Sequence, residues 1–464
     1  MKKIKAVLAV FAALAFAGCT VIGSSNSSQS DQSSSAFIDI GTDSADSSSD
    51  SRGNSTDAVE NSSSTDSNSS KPEFPEKTEP EYVEWMREEK VHEIRIKIAS
   101  EEWQKIVNNP YKGDYHPADV YIDGELIENV GLRTRGHASL YMAAEVGTKF
   151  PFKIKFDKYI DDQSFMGLDE LALNNGGDDY SFMRDFLGYE AFGMVGGYTS
   201  CVTFFNVYLN DELKGFYVGV EAIDTSYLER YFNSHRHNLY EGEDGASLEK
   251  NMPLSRLTQK KGSDTSKEDI KQLIRALDEA PLGEKGEIES FLDVDSALKM
   301  LAVNAVIDNR DGYCGIFAHN YYFYSSKGKL VMLPWDMNAP NMSAYTDIAS
   351  PAMGVYDSSM INSRPLAKKL MAVEEYYAVY LDYCKMLTDK LPELKEKVMR
   401  VYEMIKPHVE NDPNKFSTSY WFNYQYSLGN PAGTITFLTN RYTYLTERLK
   451  ALEGKPIPNS ALNP

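Results

Sequence analysis

From residue 91 the chain runs in short stretches of alternating apolar and polar side chains, and beyond residue 267 helical periods take over. Within residues 91–98, Ile94, Ile96 and Ile98 alternate with polar neighbours, which predicts a strand with one buried face. Residues 100–107 read as a short helix with Ser100 as its cap. The runs 118–122 and 125–135 flank Asp123-Gly124, a hairpin signal, and a loop follows through Ser139. Residues 149–156 put Phe150, Phe152, Ile154 and Phe156 on one strand face and Lys149, Pro151, Lys153 and Lys155 on the other. Residues 181–194 predict a helix. Counted from Phe182, its apolar side carries Met183, Phe186 and Leu187, with Glu190 in the middle of that side and Asp185 away from it. Val202–Leu209 and residues 215–221 form a second hairpin about Asn210-Asp211, and Thr225–Phe232 reads as a short helix.

Helical periods then dominate: 267–278, 294–308, 364–387, 390–406 and 434–454. The order implies an α+β protein, with a small, mainly β N-lobe (81–222) holding one key helix and a larger helical C-lobe (223–464). Protein kinases have the same order. The stretch with most chemistry is 301–338. An apolar helix runs into Asp308-Asn309-Arg310-Asp311-Gly312; a hairpin of 321–324 and 330–333 follows, and its second strand ends in Pro334-Trp335-Asp336-Met337-Asn338. One acid stands after a helix, another after a strand, and Asn320 lies between them. Phosphoryl transfer uses such a set: one carboxylate to position a hydroxyl, and an Asn and a second Asp to hold Mg²⁺. Helix ends and turns also recruit Asp and Asn for backbone reasons alone.

Candidate partners follow from the faces. Lys153 is the candidate phosphate-binding lysine, with Lys149 as the competing assignment. Glu190, set in an apolar helix face, needs a cation, and Lys153 would supply it. Arg133, Arg135, Gly136 and Ser139 occupy the place of a glycine-rich loop without its pattern; guanidinium forks could grip phosphate there.

Composition changes the picture mainly upstream. Residues 1–19 carry Lys2, Lys3 and Lys5, an apolar run and Ala17-Gly18-Cys19, which predicts a signal segment ending in a lipidated cysteine. Residues 20–80 are rich in Ser, Asp, Asn and Thr and predict a disordered tether. Residues 20–90 supply ten of the twenty net negative charges, and the acidity argues against a nucleic-acid partner. Cys201, Cys314 and Cys384 imply no disulfide framework.

Several runs together resemble the CotH-type (spore-coat protein H) kinase family over about residues 91–452. They are the family's N-x-D-(S/G)-Y, H-N-Y-Y-x-Y and P-W-D-x-D around Asp311, Asn320 and Asp336, its R-x-R-G stretch at Arg133–Gly136, L-N-N…D-x-S-x-x-R up to Arg184, and G-x-Y-x-x-V-E ending at Glu221. The resemblance implies an atypical protein-kinase fold using ATP with Mg²⁺ or Mn²⁺ to phosphorylate Ser or Thr of a protein; the lipidated Cys19 would hold that enzyme to a membrane and put its substrate on or near the cell surface. It implies that Asp311 positions the acceptor hydroxyl, that Asp336 and Asn320 bind metal, that Arg133, Arg135 and Lys153 meet phosphate, and that Glu221 stands at the nucleotide hinge. Asn338 departs from the family's second Asp. A non-catalytic pseudokinase acting as a surface scaffold or adhesin is the other reading.

Overall fold

The computed structural model describes residues 79–147, 149–338, 343–349, 358–430 and 433–458. The expected signal segment, Cys19 and nearly all of the expected tether lie outside them. The fold is α+β.

A short helix α1 (Glu81–Met86) leads into seven strands. They are β1 (Val91–Lys97), β2 (His116–Ile122), β3 (Glu125–Thr134), β4 (Phe152–Lys155), β5 (Glu170–Asn174), β6 (Val202–Leu209) and β7 (Glu212–Glu221). They close into a barrel in the order β1-β2-β3-β4-β5-β7-β6. The closing pair β1–β6 is parallel and the others are antiparallel. The alternating residues fill the barrel: Ile94, Ile96, Phe150, Phe152, Ile154 and Phe156 are buried in one cluster with Leu171, Leu173 and Tyr217. β7 departs from alternation because both its faces are covered. Tyr217 points into the barrel, whereas Phe216, Val218 and Val220 join a second core outside it.

Helices α2 (Ser100–Asn108), α3 (Ala138–Val146) and α4 (Arg184–Met194) interrupt the strands. Three expectations are corrected here. Ala99, not Ser100, caps α2. The loop expected through Ser139 gives way at Ala138 to α3, whose Leu140 and Ala143 are buried. The helix expected from 181 begins at Arg184. Asp179 holds the preceding turn, accepting from the backbone N–H groups of Ser181 (2.9 Å), Met183 (2.8 Å) and Arg184 (2.8 Å), and Phe182 takes a left-handed φ of 55°.

Beyond the barrel come α5 (Thr225–Phe232) and a four-stranded sheet, β11-β10-β8-β9. Its strands are β8 (Leu239–Gly242), β9 (Leu257–Lys261), β10 (Tyr321–Ser326) and β11 (Lys329–Pro334). Around it lie α6 (Glu268–Glu279), α7 (Ile288–Phe291), α8 (Val294–Val306), α9 (Pro365–Ala372), α10 (Glu374–Glu410), α11 (Ser419–Tyr424) and α12 (Thr434–Leu452). The break expected near 388 is absent: α10 runs unbroken through Pro392, and the chain bends at Val373 instead. The second core spans α4, the outer face of β6 and β7, the four-stranded sheet and these helices.

Candidate active site

The site is assembled from the ends of two elements that tertiary contacts hold in place. The first is the exit of α8. The buried Arg441 of α12 donates to the carbonyls of Ala305 (2.7 Å) and Val306 (2.8 Å), satisfying the open end of that helix. Asp308 then turns the chain with φ 56°. Asp311 follows, gripped on both carboxylate oxygens. His319 Nε2 lies 2.9 Å from its Oδ1, and Asn320 Nδ2 donates to its Oδ2 at 3.0 Å and to its carbonyl at 2.9 Å. On its other side His319 Nδ1 sits 2.8 Å from Asp244 Oδ1. Burial alone would lower the imidazole, but the hydrogen bonds to Asp244 and Asp311 outweigh it and push His319 up to about 10. His319 is therefore a cation at neutral pH, with both ring nitrogens donating.

The second end is the exit of β11. Trp335 is buried against Tyr322, edge to face at 5.7 Å, and Asp336 follows with φ 51°. Met337 packs against α4 where that helix has no side chain: a Cβ on Gly188 would stand 2.6 Å from Met337 Cβ. Asn338 Nδ2 donates to Asp336 Oδ1 at 2.7 Å.

Over these ends lies the outer face of the barrel. Arg133 and Lys153 are register partners on β3 and β4. The Trp335 ring lies 5.6 Å from the Arg135 guanidinium carbon and 6.0 Å from Lys153 Nζ. From β5, Asn174 accepts from Arg135 Nη1 and donates at 2.7 Å to Asp185 of α4. Asp178, Asp185, Asp311 and Asp336 thus share one electrostatic environment. Burial, then the charge of Asp336, pushes Asp185 up to about 7, while Asp178 stands exposed beside them. Burial also raises Asp336; Arg135 opposes the rise and Asp311 adds to it. So much carboxylate around so little positive charge suits a hard divalent cation. Among the described residues no three His, Cys, Asp or Glu side chains form a ready-made metal cage. A Mg²⁺-type site needs only one or two carboxylates completed by phosphate oxygens and water, and Asp336 meets that requirement.

The structure brings Asp311, Asp336, Arg135 and Lys153 to one place and leaves other candidates outside it. Lys153 pairs with Glu170, and Glu190 pairs with Lys397 at 2.7 Å, so the expected Lys153–Glu190 bridge does not exist. The cause is the helix phase. Phe182 and Met183 precede α4, and counting them as helical rotated the apparent apolar face. The acid that α4 buries is Asp185. Lys149 is also outside, closed onto Asp412 at 2.6 Å. Glu221 is fully buried, accepting from Tyr82 (2.5 Å), the Cys201 N–H (2.9 Å) and Arg230; its own N–H bonds the Cys201 carbonyl at 2.9 Å. Glu221 is therefore committed to structure, and its N–H is closed to a nucleotide. Arg133 lies over Tyr115, 5.2 Å from the ring centre. Asn320 holds Asp311 through its amide nitrogen.

Sequence reasoning missed Asp178, Asp185, Asn174, His319 and Asp244. Asn174 and His319 stand inside motifs that were legible; Asp244 had no local signal.

Residues 132–445 match the family described as CotH kinase protein, more than half of the chain. The chain belongs to that family. Inner spore coat protein H of Bacillus subtilis (strain 168) is 26% identical over 309 residues, covering 62% of this chain and 81% of the relative. The Shewanella oneidensis MR-1 HipA–HipB–operator DNA complex contains a chain of 10% identity and TM-score 0.31, with 77% of this chain and 71% of that one covered. That likeness is too remote to carry an argument. The CotH match includes every side chain placed around Asp336 above, from Arg135 to Asn338.

Proposed function

We propose that this chain is a surface-tethered atypical protein kinase that transfers the γ-phosphate of ATP to Ser or Thr of an extracytoplasmic protein. The observation that carries this reading is the carboxylate group of Asp178, Asp185, Asp311 and Asp336 set beneath Arg135 and Lys153 at the Trp335 ring. CotH membership supports it. In this reading the barrel serves as the small lobe and the helical part as the large one. Asp311, held by His319 and Asn320, positions the acceptor hydroxyl, Asp336 holds Mg²⁺ or Mn²⁺, and Arg135 meets the phosphates beside Lys153, which is paired with Glu170. When bound, the metal neutralises charge on the phosphates. Incubating the chain with labelled ATP, Mn²⁺ and a generic protein acceptor tests it; ATP binding without transfer to any acceptor would reject it.

The second reading is a non-catalytic scaffold or adhesin. Asn338, standing where the family pattern has its second Asp, favours it. Absence of ATP binding with either Mg²⁺ or Mn²⁺ would select this reading. In both, a lipidated Cys19 anchors the chain. Cys19→Ser should move the protein from the membrane fraction to the soluble one, and equal membrane retention of that variant would remove the anchor.

A further inference from the structure

Protein kinases couple a strand-borne cation to an acid on a helix, and the pair expected here is absent. Both of its members have other partners: Lys153 is neutralised by Glu170, its neighbour on β5, and Glu190 by Lys397 of α10. Lys149 and Lys155 are likewise paired, with Asp412 at 2.6 Å and with Asp224 at 2.8 Å. Arg135 differs. Among the described residues no carboxylate lies within ion-pair distance of its guanidinium, and the guanidinium donates to the neutral amide oxygen of Asn174. The other end of that amide donates to Asp185 Oδ2 at 2.7 Å. Asp185 is 3% exposed and its Oδ1 has no hydrogen-bond partner among the described residues. A continuous path therefore runs from the end of β3, through the end of β5, into the first turn of α4.

We infer that Arg135–Asn174–Asp185 is this protein's strand-to-helix bridge: Arg135 is the cation that takes the nucleotide's phosphates, and Asn174 and Asp185 are positioning residues that aim it. The inference rests on the kinase reading for the identity of the ligand. Its physical content is that an amide accepts from the guanidinium without neutralising it. The positive charge and the remaining N–H donors stay available to a polyphosphate. A carboxylate in the place of Asn174 would cancel that charge, as Glu170 does for Lys153. Asp185 fixes which way the Asn174 amide faces, because only its nitrogen can donate to a carboxylate. Through that contact the seating of α4 sets the position of Arg135, and Arg135 stays over Trp335 while α4 holds its place against Met337.

The experiment is calorimetric binding of ATP with Mn²⁺, and separately of adenosine, to the full chain and to five variants. Arg135→Met and Asn174→Ala should each weaken ATP by about 10-fold or more, the usual cost of losing a hydrogen bond to a charged group, and leave adenosine unchanged. Asp185→Ala should do the same to a smaller extent. Asp185→Asn, whose amide oxygen still accepts from Asn174, should restore most of the affinity. The double variant Arg135→Met/Asn174→Ala should be no weaker than Arg135→Met alone, since the two act as one unit. Equal losses of ATP and adenosine would mean the network only holds the fold, and would overturn the inference. So would ATP affinity that survives Asn174→Ala, or additive losses in the double variant. A wild-type chain that binds no ATP rejects the kinase reading together with the inference. A wild-type chain that binds ATP, whose Asn174→Ala variant binds it equally well, rejects the inference alone.

Discussion

At the scale of the residue, Asp311 and Asp336 sit in one site and differ in kind. Asp311 is tied through both oxygens to donors that only orient it, so Asp311→Asn should leave ATP and Mn²⁺ affinity near wild type. Phosphoryl transfer should fall by about 10² or more, measured by labelled-ATP incorporation. Asp336 is half-buried and under repulsion from Asp311; Asp336→Asn should lose metal-dependent nucleotide binding as well as transfer. Equal effects of the two substitutions on ATP affinity would contradict this division. Asp185 gives a pH signature. Its carboxyl titrates near 3.8 in the unfolded chain and is pushed up to about 7 in the folded one. Between those values the folded state holds a proton that the unfolded state has released, so stability falls as pH rises. His319 has the same slope in a later window. Raised from 6.5 to about 10, it contributes fully below 6.5 and its contribution fades as pH rises through 10. In metal-free protein, Tm measured between about pH 4 and 6.5 should decline with pH, and Asp185→Asn should flatten that decline. An unchanged slope in the variant would show that other groups set it.

At the scale of the element, the placement of Asp336 depends on α4 as much as on β11. Gly188 lets Met337 lie directly on the helix backbone, and Asn309 Nδ2 approaches the Met337 sulfur at 3.7 Å. Gly188→Ala puts a methyl 2.6 Å from Met337 Cβ. It should destabilise by roughly 1–3 kcal/mol, as overpacking of a full core does, and lower metal-dependent ATP binding because Asp336 moves with Met337. Wild-type Tm and affinity in that variant would mean the contact is slack. The same element shows why part of the site was illegible. Its hydrophobic period was read from Phe182, but Asp179 organises a turn there, and three backbone N–H groups bonded to one carboxylate displaced the helix start by three residues. Starting the helical count three residues too early turned the apparent face away from Asp185.

At the scale of the whole molecule, barrel and helices are locked by an ion pair spanning 263 residues. Lys149 Nζ meets Asp412 Oδ2 at 2.6 Å, and Asp412 also accepts from the Phe216 N–H at 3.0 Å and the Asn414 N–H at 2.8 Å. Burial lowers the Lys149 ammonium even though Asp412 works to raise it. Removing one partner of such a pair leaves a bare buried charge, so Asp412→Ala should lose about 3–5 kcal/mol in denaturant unfolding. Replacing both, as Lys149→Met/Asp412→Leu, should recover much of that loss. A double variant no better than the single one would mean that the backbone contacts of Asp412 matter more than its charge.

The sequence by itself determined what is encoded within a few residues. The hairpin at Asp123-Gly124, the inward row Phe150–Phe152–Ile154–Phe156, the helix Thr225–Phe232 and the 321–334 hairpin follow from period and turn chemistry, and the structure has them. The CotH resemblance was legible for the same reason, as short runs of fixed spacing. What only the tertiary structure decided were choices among equivalent side chains. It decided that β1 closes the barrel on β6 and that β5 enters between β4 and β7. It decided that Asp185 rather than Glu190 faces the site, and that Glu170 neutralises Lys153 while Arg135 keeps its charge. Local pattern places a charged residue on a face. Which opposite charge reaches that face depends on segments tens to hundreds of residues away, whose approach is set by packing of the whole core.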